Sequence, residues 1–395
     1  MTHLRRISTL RLLVIGAVVT LFAAATAVIA LAAGGGGPTP PSKPLDTAVH
    51  DALVGPAPAG VSARVHFTND LVGESVLEGA DPLLAGASGR LWATADGRLR
   101  LELQADVSKG SAGDLELLVE ERHFSLYDPG TETVYEGRLP SHKDEGGEEP
   151  PSLSQVQEAI EEVTQHADLS GANPSDVAGQ PAYTVRVSPK ADGGLVGGAE
   201  LAWDAINGAP LRAAVYAKGE SSPVLELAAT EISFEAVPDS VFEIPPPPGA
   251  KTVELNPSGE GSSGEGSGES SAPPVTGLEA VQAKTSFPLS APPTLAGMER
   301  DQVRLMSSGE EAGALVTYGK GLGGLAVIEL PAGEGGEEGS SEGPQLPSVS
   351  IPGATHGQEL ETPLGTLIRF RRGGVEYAVV GSVASAVARE AAEGL

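Results

Sequence analysis

The chain contains no cysteine. That excludes disulfides, thiolate metal sites and a cysteine nucleophile, and with them the lipid-modified cysteine that follows a lipoprotein signal sequence. Aromatic residues make up only 4% of the 395 residues, so any cavity is aliphatic and suits a hydrocarbon tail better than a planar cofactor. Positive charge is also scarce: 25 Lys and Arg stand against 53 Asp and Glu, a formal net charge of −28. Such a surface repels phosphate, so neither nucleic acid nor an anionic headgroup is an expected partner, and the simplest consequence of the charge is solubility. The seven histidines, His3, His50, His66, His123, His142, His166 and His356, show no metal-ligand spacing, and no cofactor is expected. His66 and His123 fall on predicted strands and are the two that a sheet could bring together.

One long uncharged run is present. Residues 12–33, LLVIGAVVTLFAAATAVIALAA, follow Arg5, Arg6 and Arg11. A run of this length spans a hydrocarbon core of roughly 30 Å. The arginines on its N-terminal side predict a cytoplasmic N-terminus and an exported remainder. A cleaved signal sequence has a shorter apolar stretch, about 7–15 residues. The length therefore predicts an uncleaved anchor, with cleavage after Ala30-Leu31-Ala32 as the alternative. Residues 34–44, GGGGPTPPSKP, form a Gly/Pro spacer.

Beyond the spacer the pattern is mostly period two. A short helix is predicted over residues 46–54 with Asp46 at its N-cap. Val61, Ala63, Val65 and Phe67 alternate with Ser62, Arg64, His66 and Thr68. Leu99, Leu101 and Leu103 repeat the pattern, as do Leu115, Leu117 and Val119, although Leu118 interrupts the polar side. Phe124 and Leu126 lead through Asp128-Pro129-Gly130 into Thr133 to Leu139. One-faced alternation of this kind predicts an antiparallel sheet. Residues 142–151 are an acidic loop, after which Ser152 and Gln155 fit a capping box and Leu153, Val156, Ile160 and Val163 mark one face of a helix.

Residues 178–250 carry the most specific pattern. Val185 and Val187 alternate with Arg186 and Ser188; Leu201 and Trp203 precede the Asn207-Gly208 turn; Leu211, Ala213 and Val215 return; Leu225 and Leu227 open another strand. Pro245 to Pro248 cannot donate to a ladder and are expected to end the sheet.

In three places this block resembles the lipoprotein-carrier family, LolA and its relatives, which include the periplasmic sigma-factor regulators RseB or MucB. They are the G-Q-P-A-Y run (Gly179 to Tyr183), the W-D-x-x-x-G-x-P-L hairpin (Trp203 to Leu211) and the P-D-S-V-F-x-x-x-P-P exit (Pro238 to Pro247). The resemblance covers residues 45–253. It implies an α+β fold: an open antiparallel half-barrel sheet with covering helices, whose concave face holds acyl chains in lipid-carrying members. The expected partners are then acyl chains or lipidated proteins, or an anti-sigma factor as for the RseB-type relatives, with the membrane engaged through the N-terminal run. The expected lining of the cavity is Val65, Phe67, Trp92, Leu101, Leu103, Phe124, Leu126 and Trp203. The same residues would also pack the core of any one-faced sheet.

Residues 254–274, Gly/Ser/Glu-rich, are expected to be a linker, and residues 275–395 a small second α+β domain with a low-complexity insertion at 332–345. Its strands are predicted at Ala314 to Tyr318, Leu325 to Leu330, Leu367 to Phe370 and Val375 to Val380, with Ser382 capping a helix from Val383 to Glu393. The G-x-G-x-x-G match at Gly319 to Gly324 precedes a strand, not a helix, and reads as a hairpin. The G-x-S-x-G match at Gly339 to Gly343 lies in low-complexity sequence and lacks the strand and helix of a nucleophile elbow. No carboxylate pair is nominated for hydrolysis, and no enzyme activity is expected.

Overall fold

The computed structural model describes residues 39–55, 58–71, 86–105, 114–120, 122–139, 151–190, 194–244, 247–255, 275–308, 311–332 and 346–395. The apolar run 12–33, the acidic loop up to 150, the linker from 256 onward, the insertion from 333 and the G-x-S-x-G match lie outside them. Among the described residues no helix is long and apolar enough to cross a membrane. These residues fall into two compact units, each described by itself.

In the larger unit the alternating runs become strands. They are β1 (Val61–Asn69), β2 (Ala87–Ala93), β3 (Leu99–Ala105), β4 (Asp114–Glu120), β5 (His123–Asp128), β6 (Thr133–Arg138), β7 (Ala167–Leu169), β8 (Asn173–Val177), β9 (Gln180–Pro189), β10 (Val196–Asp204), β11 (Pro210–Ala217), β12 (Pro223–Ser233) and β13 (Lys251–Leu255). They build one open, curled sheet in the order β13-β6-β5-β4-β3-β2-β1-β12-β11-β10-β9-β7, with β8 also paired to β9. The meander β1 to β6 is antiparallel throughout, and β12 returns to pair with β1. The prolines do not end the sheet as expected. The antiparallel run already ends at Ser233, and beyond the prolines the chain adds a further strand at the far edge, where β13 pairs parallel with β6.

Among the described residues two helices accompany this sheet, α1 (Leu45–Val54) and α2 (Leu153–His166). The capping box of α2 forms as its sequence predicts: Gln155 N–H donates to the Ser152 hydroxyl and the Ser152 N–H donates to the Gln155 side chain. Its apolar stripe is only partly used. Val156 is buried, whereas Leu153 and Val163 are 39% and 45% exposed, because α2 lies against α1 and β7 rather than under a second layer. Asp46 is not the N-cap of α1; Pro44 holds that position, and Asp46 in the first turn accepts from Thr47 N–H and from the Gln157 side chain, both at 2.6 Å.

The smaller unit holds β14 (Thr294–Leu295), β15 (Met298–Ser308), β16 (Glu311–Tyr318), β17 (Leu325–Pro331), β18 (Thr355–Thr362), β19 (Gly365–Arg372) and β20 (Val375–Gly381), with α3 (Leu278–Gln282) and α4 (Ser385–Gly394). Its sheet runs β14-β15-β16-β17-β20-β19-β18. Gly373 and Gly374, both at positive φ, make the β19–β20 turn. The G-x-G-x-x-G match is a short 3-10 turn in the β16–β17 hairpin, as expected. Ser382 is not the helix cap; α4 starts at Ser385 after Ala384, with no side-chain cap. Ala388, Ala391 and Ala392 of α4 are fully buried, and Arg389 holds the helix to β18 through Nε to the Glu359 carboxylate at 2.9 Å. Both units are therefore sheet with few helices, the α+β class that the sequence predicts.

Candidate functional site

Strand register decides which side chains share a face, because a shift of one residue reverses every side chain. Across β1 to β6 one set of rows is apolar. One row runs Leu227, Phe67, Ala87; the next runs Ala229, Val65, Gly89, Leu103, Leu115. The third is the longest: Ala63, Leu91, Leu101, Leu117, Leu126, Tyr135 and, on β13, Val253. A fourth runs Val61, Ala93, Leu99, Val119, Phe124, Gly137. These rows carry no charged side chain.

Six of the eight residues predicted to line the cavity lie on this inner face. Val65, Phe67, Leu101, Leu103, Phe124 and Leu126 are all buried, between 0 and 8% exposed. Trp92 does not join them. Its Cα partners are Ser62 and Arg100, so it stands on the outer face, with the Arg100 guanidinium 5.3 Å above its ring. Hydrophobicity alone does not give the strand register that sets Trp92 on that face. Trp203 is buried in a separate cluster with Ala48, Ala52, Ala172, Tyr183 and Val185, where it packs the sheet against α1.

The motifs that carry the family resemblance turn out to be joints. In the W-D-x-x-x-G hairpin, Asp204 accepts N–H bonds from Ile206 and Asn207 at 2.9 and 2.8 Å, and Asn207 accepts from Ala209 N–H at 2.9 Å. Burial pushes the Asp204 carboxyl up despite these two donors. Gly208 has a φ of +66, and a Cβ there would sit 2.5 Å from the Ala52 carbonyl oxygen, so only glycine lets the hairpin dock on α1. The Tyr183 hydroxyl of G-Q-P-A-Y donates to the Pro41 carbonyl at 2.6 Å and so ties down the segment before α1. The P-D-S-V-F exit packs on the start of β3. Arg98 bonds Asp239 at 2.9 Å and covers the Phe242 ring at 4.8 Å, while Arg100 donates to the Val241 carbonyl at 2.8 Å.

The outer face is polar. Arg100 pairs with Glu102 and, at 2.8 Å, with Glu116. Farther along the sheet Arg212 is held by Glu200, Glu226 and the Tyr216 hydroxyl. Burial alone would lower its pKa, but these three partners hold it above the usual arginine range. Sequence reasoning missed both arginines; the only signal was an Arg on the polar side of a one-faced strand, which gives no partner. His66 and His123 are not brought together: they lie on β1 and β5 with three strands between, one beside Ser88 and the other beside Arg138. No group of three or more potential metal ligands occurs among the described residues.

No family model matches the chain, and no curated protein matches it. Solved structures do resemble it. The Pseudomonas aeruginosa MucA/MucB complex structure matches at 15% identity and a TM-score of 0.42, over 88% of this chain and 94% of that one. A structure of MucB in complex with MucA(peri) matches at 15% identity and a TM-score of 0.41, over 84% and 91%. A LolA superfamily protein from Nitrosomonas europaea matches at 12% identity and a TM-score of 0.21, over 51% of this chain and 99% of that one. These are likenesses of fold.

Proposed function

We propose that this protein is an extracytoplasmic lipid- or lipoprotein-binding carrier or sensor without catalytic activity, held at the membrane by residues 12–33, and that an acyl chain or lipidated N-terminus binds along the inner face of the open sheet. The observation that carries this reading is the set of uncharged, mostly aliphatic rows on this face, two of which run unbroken from β1 to β6. An acyl chain against such a face gains about 0.8 kcal/mol for each methylene buried. The rows are covered in the free protein, so a ligand has to displace what covers them, and binding is expected to be slow and saturable. Because apolar burial drives it, added salt does not weaken it.

The test is native mass spectrometry of the purified protein with displacement of a fluorescent fatty acid. Copurified lipid and saturable displacement support the proposal; neither one appearing removes it. Anchoring is tested separately, by adding protease to intact spheroplasts: digestion of the bulk of the chain supports an exported body, and protection overturns it.

A second reading is an envelope-stress regulator that binds an anti-sigma factor. The second compact unit favours it, since the RseB-type relatives that the sequence resembles also carry a smaller C-terminal domain. On either reading we assign residues 45–253 and 275–395 to separately folding domains, with 254–274 between them. Limited proteolysis is expected to cut first within 256–274 or 332–345; first cuts inside strands would overturn this division.

A further inference from the structure

β13 is an edge strand that the large sheet holds on one side only. It is five residues long and pairs parallel, a geometry slightly weaker per residue than antiparallel pairing. Its side chains contribute little, with Lys251, Thr252 and Glu254 exposed and Val253 half-buried. Its register sets Glu254 directly opposite Glu136 of β6. Like charges placed opposite each other across a strand pair are unfavourable. Among the described residues neither carboxylate has an ion-pair partner; the nearby Arg138 gives its Nε to His123 at 2.9 Å. The two glutamates line one side of an outer-face groove of about 500 Å³, whose other lining includes Leu118, Glu120 and Ser125. The groove thus sets three carboxylates and an apolar spot, together with Arg138 engaged by His123, beside a row of main-chain partners along β6.

An edge with main-chain groups to offer accepts an added strand, whose side chains then select the partner. We propose that the β6 edge is a docking site for an extended peptide segment of a partner protein, one with a basic residue where β13 has Glu254, and that β13 fills this edge until the partner strand displaces it. A lysine or arginine at that position relieves the Glu136–Glu254 repulsion and turns it into an ion pair, so the incoming strand outcompetes the resident one. The site uses the outer face and the sheet edge, so it stands independently of acyl-chain binding at the inner face.

The experiment uses the full chain and fluorescein-labelled heptapeptides copying residues 250–256, one unchanged and one carrying Glu254→Lys, read by fluorescence anisotropy. The lysine peptide is expected to bind saturably and several-fold more tightly than the unchanged one. Val253→Pro in the protein, which unpairs its own β13, should tighten binding several-fold. Glu254→Lys in the protein, which strengthens its own β13, should weaken it several-fold. Glu136→Gln should remove the preference for the lysine peptide. Equal binding to all of these proteins overturns the proposal, and so does an absence of binding to folded Val253→Pro. Amide exchange gives an independent measure without any peptide. The β6 amides bonded to β13 should exchange at least tenfold faster than those bonded to β5, and equal protection on the two sides overturns a displaceable β13.

Discussion

The seven-stranded sheet covers its core with a helix of its own, whereas the thirteen-stranded sheet lays its four apolar rows out from β1 toward β6, and the two helices described with it pack together at its far end. In the smaller unit, α4 sets three fully buried alanines among Ile368, Phe370 and Val379, so backbone comes close to sheet and leaves little room for a ligand. The larger sheet keeps its inner face uncharged. The smaller one buries a carboxylate: Glu329 is fully enclosed, and Ser290 N–H donates to it at 2.9 Å. The smaller unit is closed by its own helix, and the apolar rows of the larger one extend beyond the two helices described with it.

The largest test of this contrast pairs Leu101→Ala in the larger sheet with Ile368→Ala in the smaller, both wild-type side chains being fully buried. Each is expected to cost about 2–5 kcal/mol, seen as an earlier chemical unfolding transition of its own unit. Added fatty acid should restore stability to Leu101→Ala and leave Ile368→Ala unchanged. Equal rescue, or none, breaks the distinction between an open and a closed sheet.

Glu329 sharpens the comparison through pH. Burial pushes its carboxyl up to about 7 from an unfolded value of 4.5, with the Ser290 N–H acting against the shift. The folded state therefore holds a proton that the unfolded state releases. The stability this gives is fully present below pH 4.5 and is lost as pH rises to about 7. Glu329→Gln should stabilise the smaller unit above pH 7 by something on the order of 3 kcal/mol and change little at pH 4. Melting curves at the two pH values check this, and the transition of the larger sheet should not respond.

Gly208→Ala tests the hairpin joint on α1. The positive φ and the close Ala52 carbonyl together should cost about 1–3 kcal/mol in the larger unit. The smallest effect is expected from Ser152→Ala, which removes one half of the α2 capping box at about 1 kcal/mol. Amide exchange in the first turn of α2 should report it even where the global transition barely moves.

Much of this protein was determined by local sequence. Alternation placed β1, β3, β4 and β5, Asn207-Gly208 marked the β10–β11 turn, and Ser152 with Gln155 marked the start of α2, because each signal depends only on residues a few positions apart. β15 and β18 were not foreseen: Met298–Ser308 and Thr355–Thr362 interleave charged and small residues and show no clean alternation. The tertiary structure alone decided what depends on distant partners. It sent Trp92 to the outer face beside Arg100 and Trp203 beneath α1. It joined Arg98 to Asp239 from opposite ends of the domain, and it carried β13 past the prolines to lie parallel to β6. Register and strand order are set by the sum of many weak contacts across the whole sheet, and no window of neighbouring residues contains that sum.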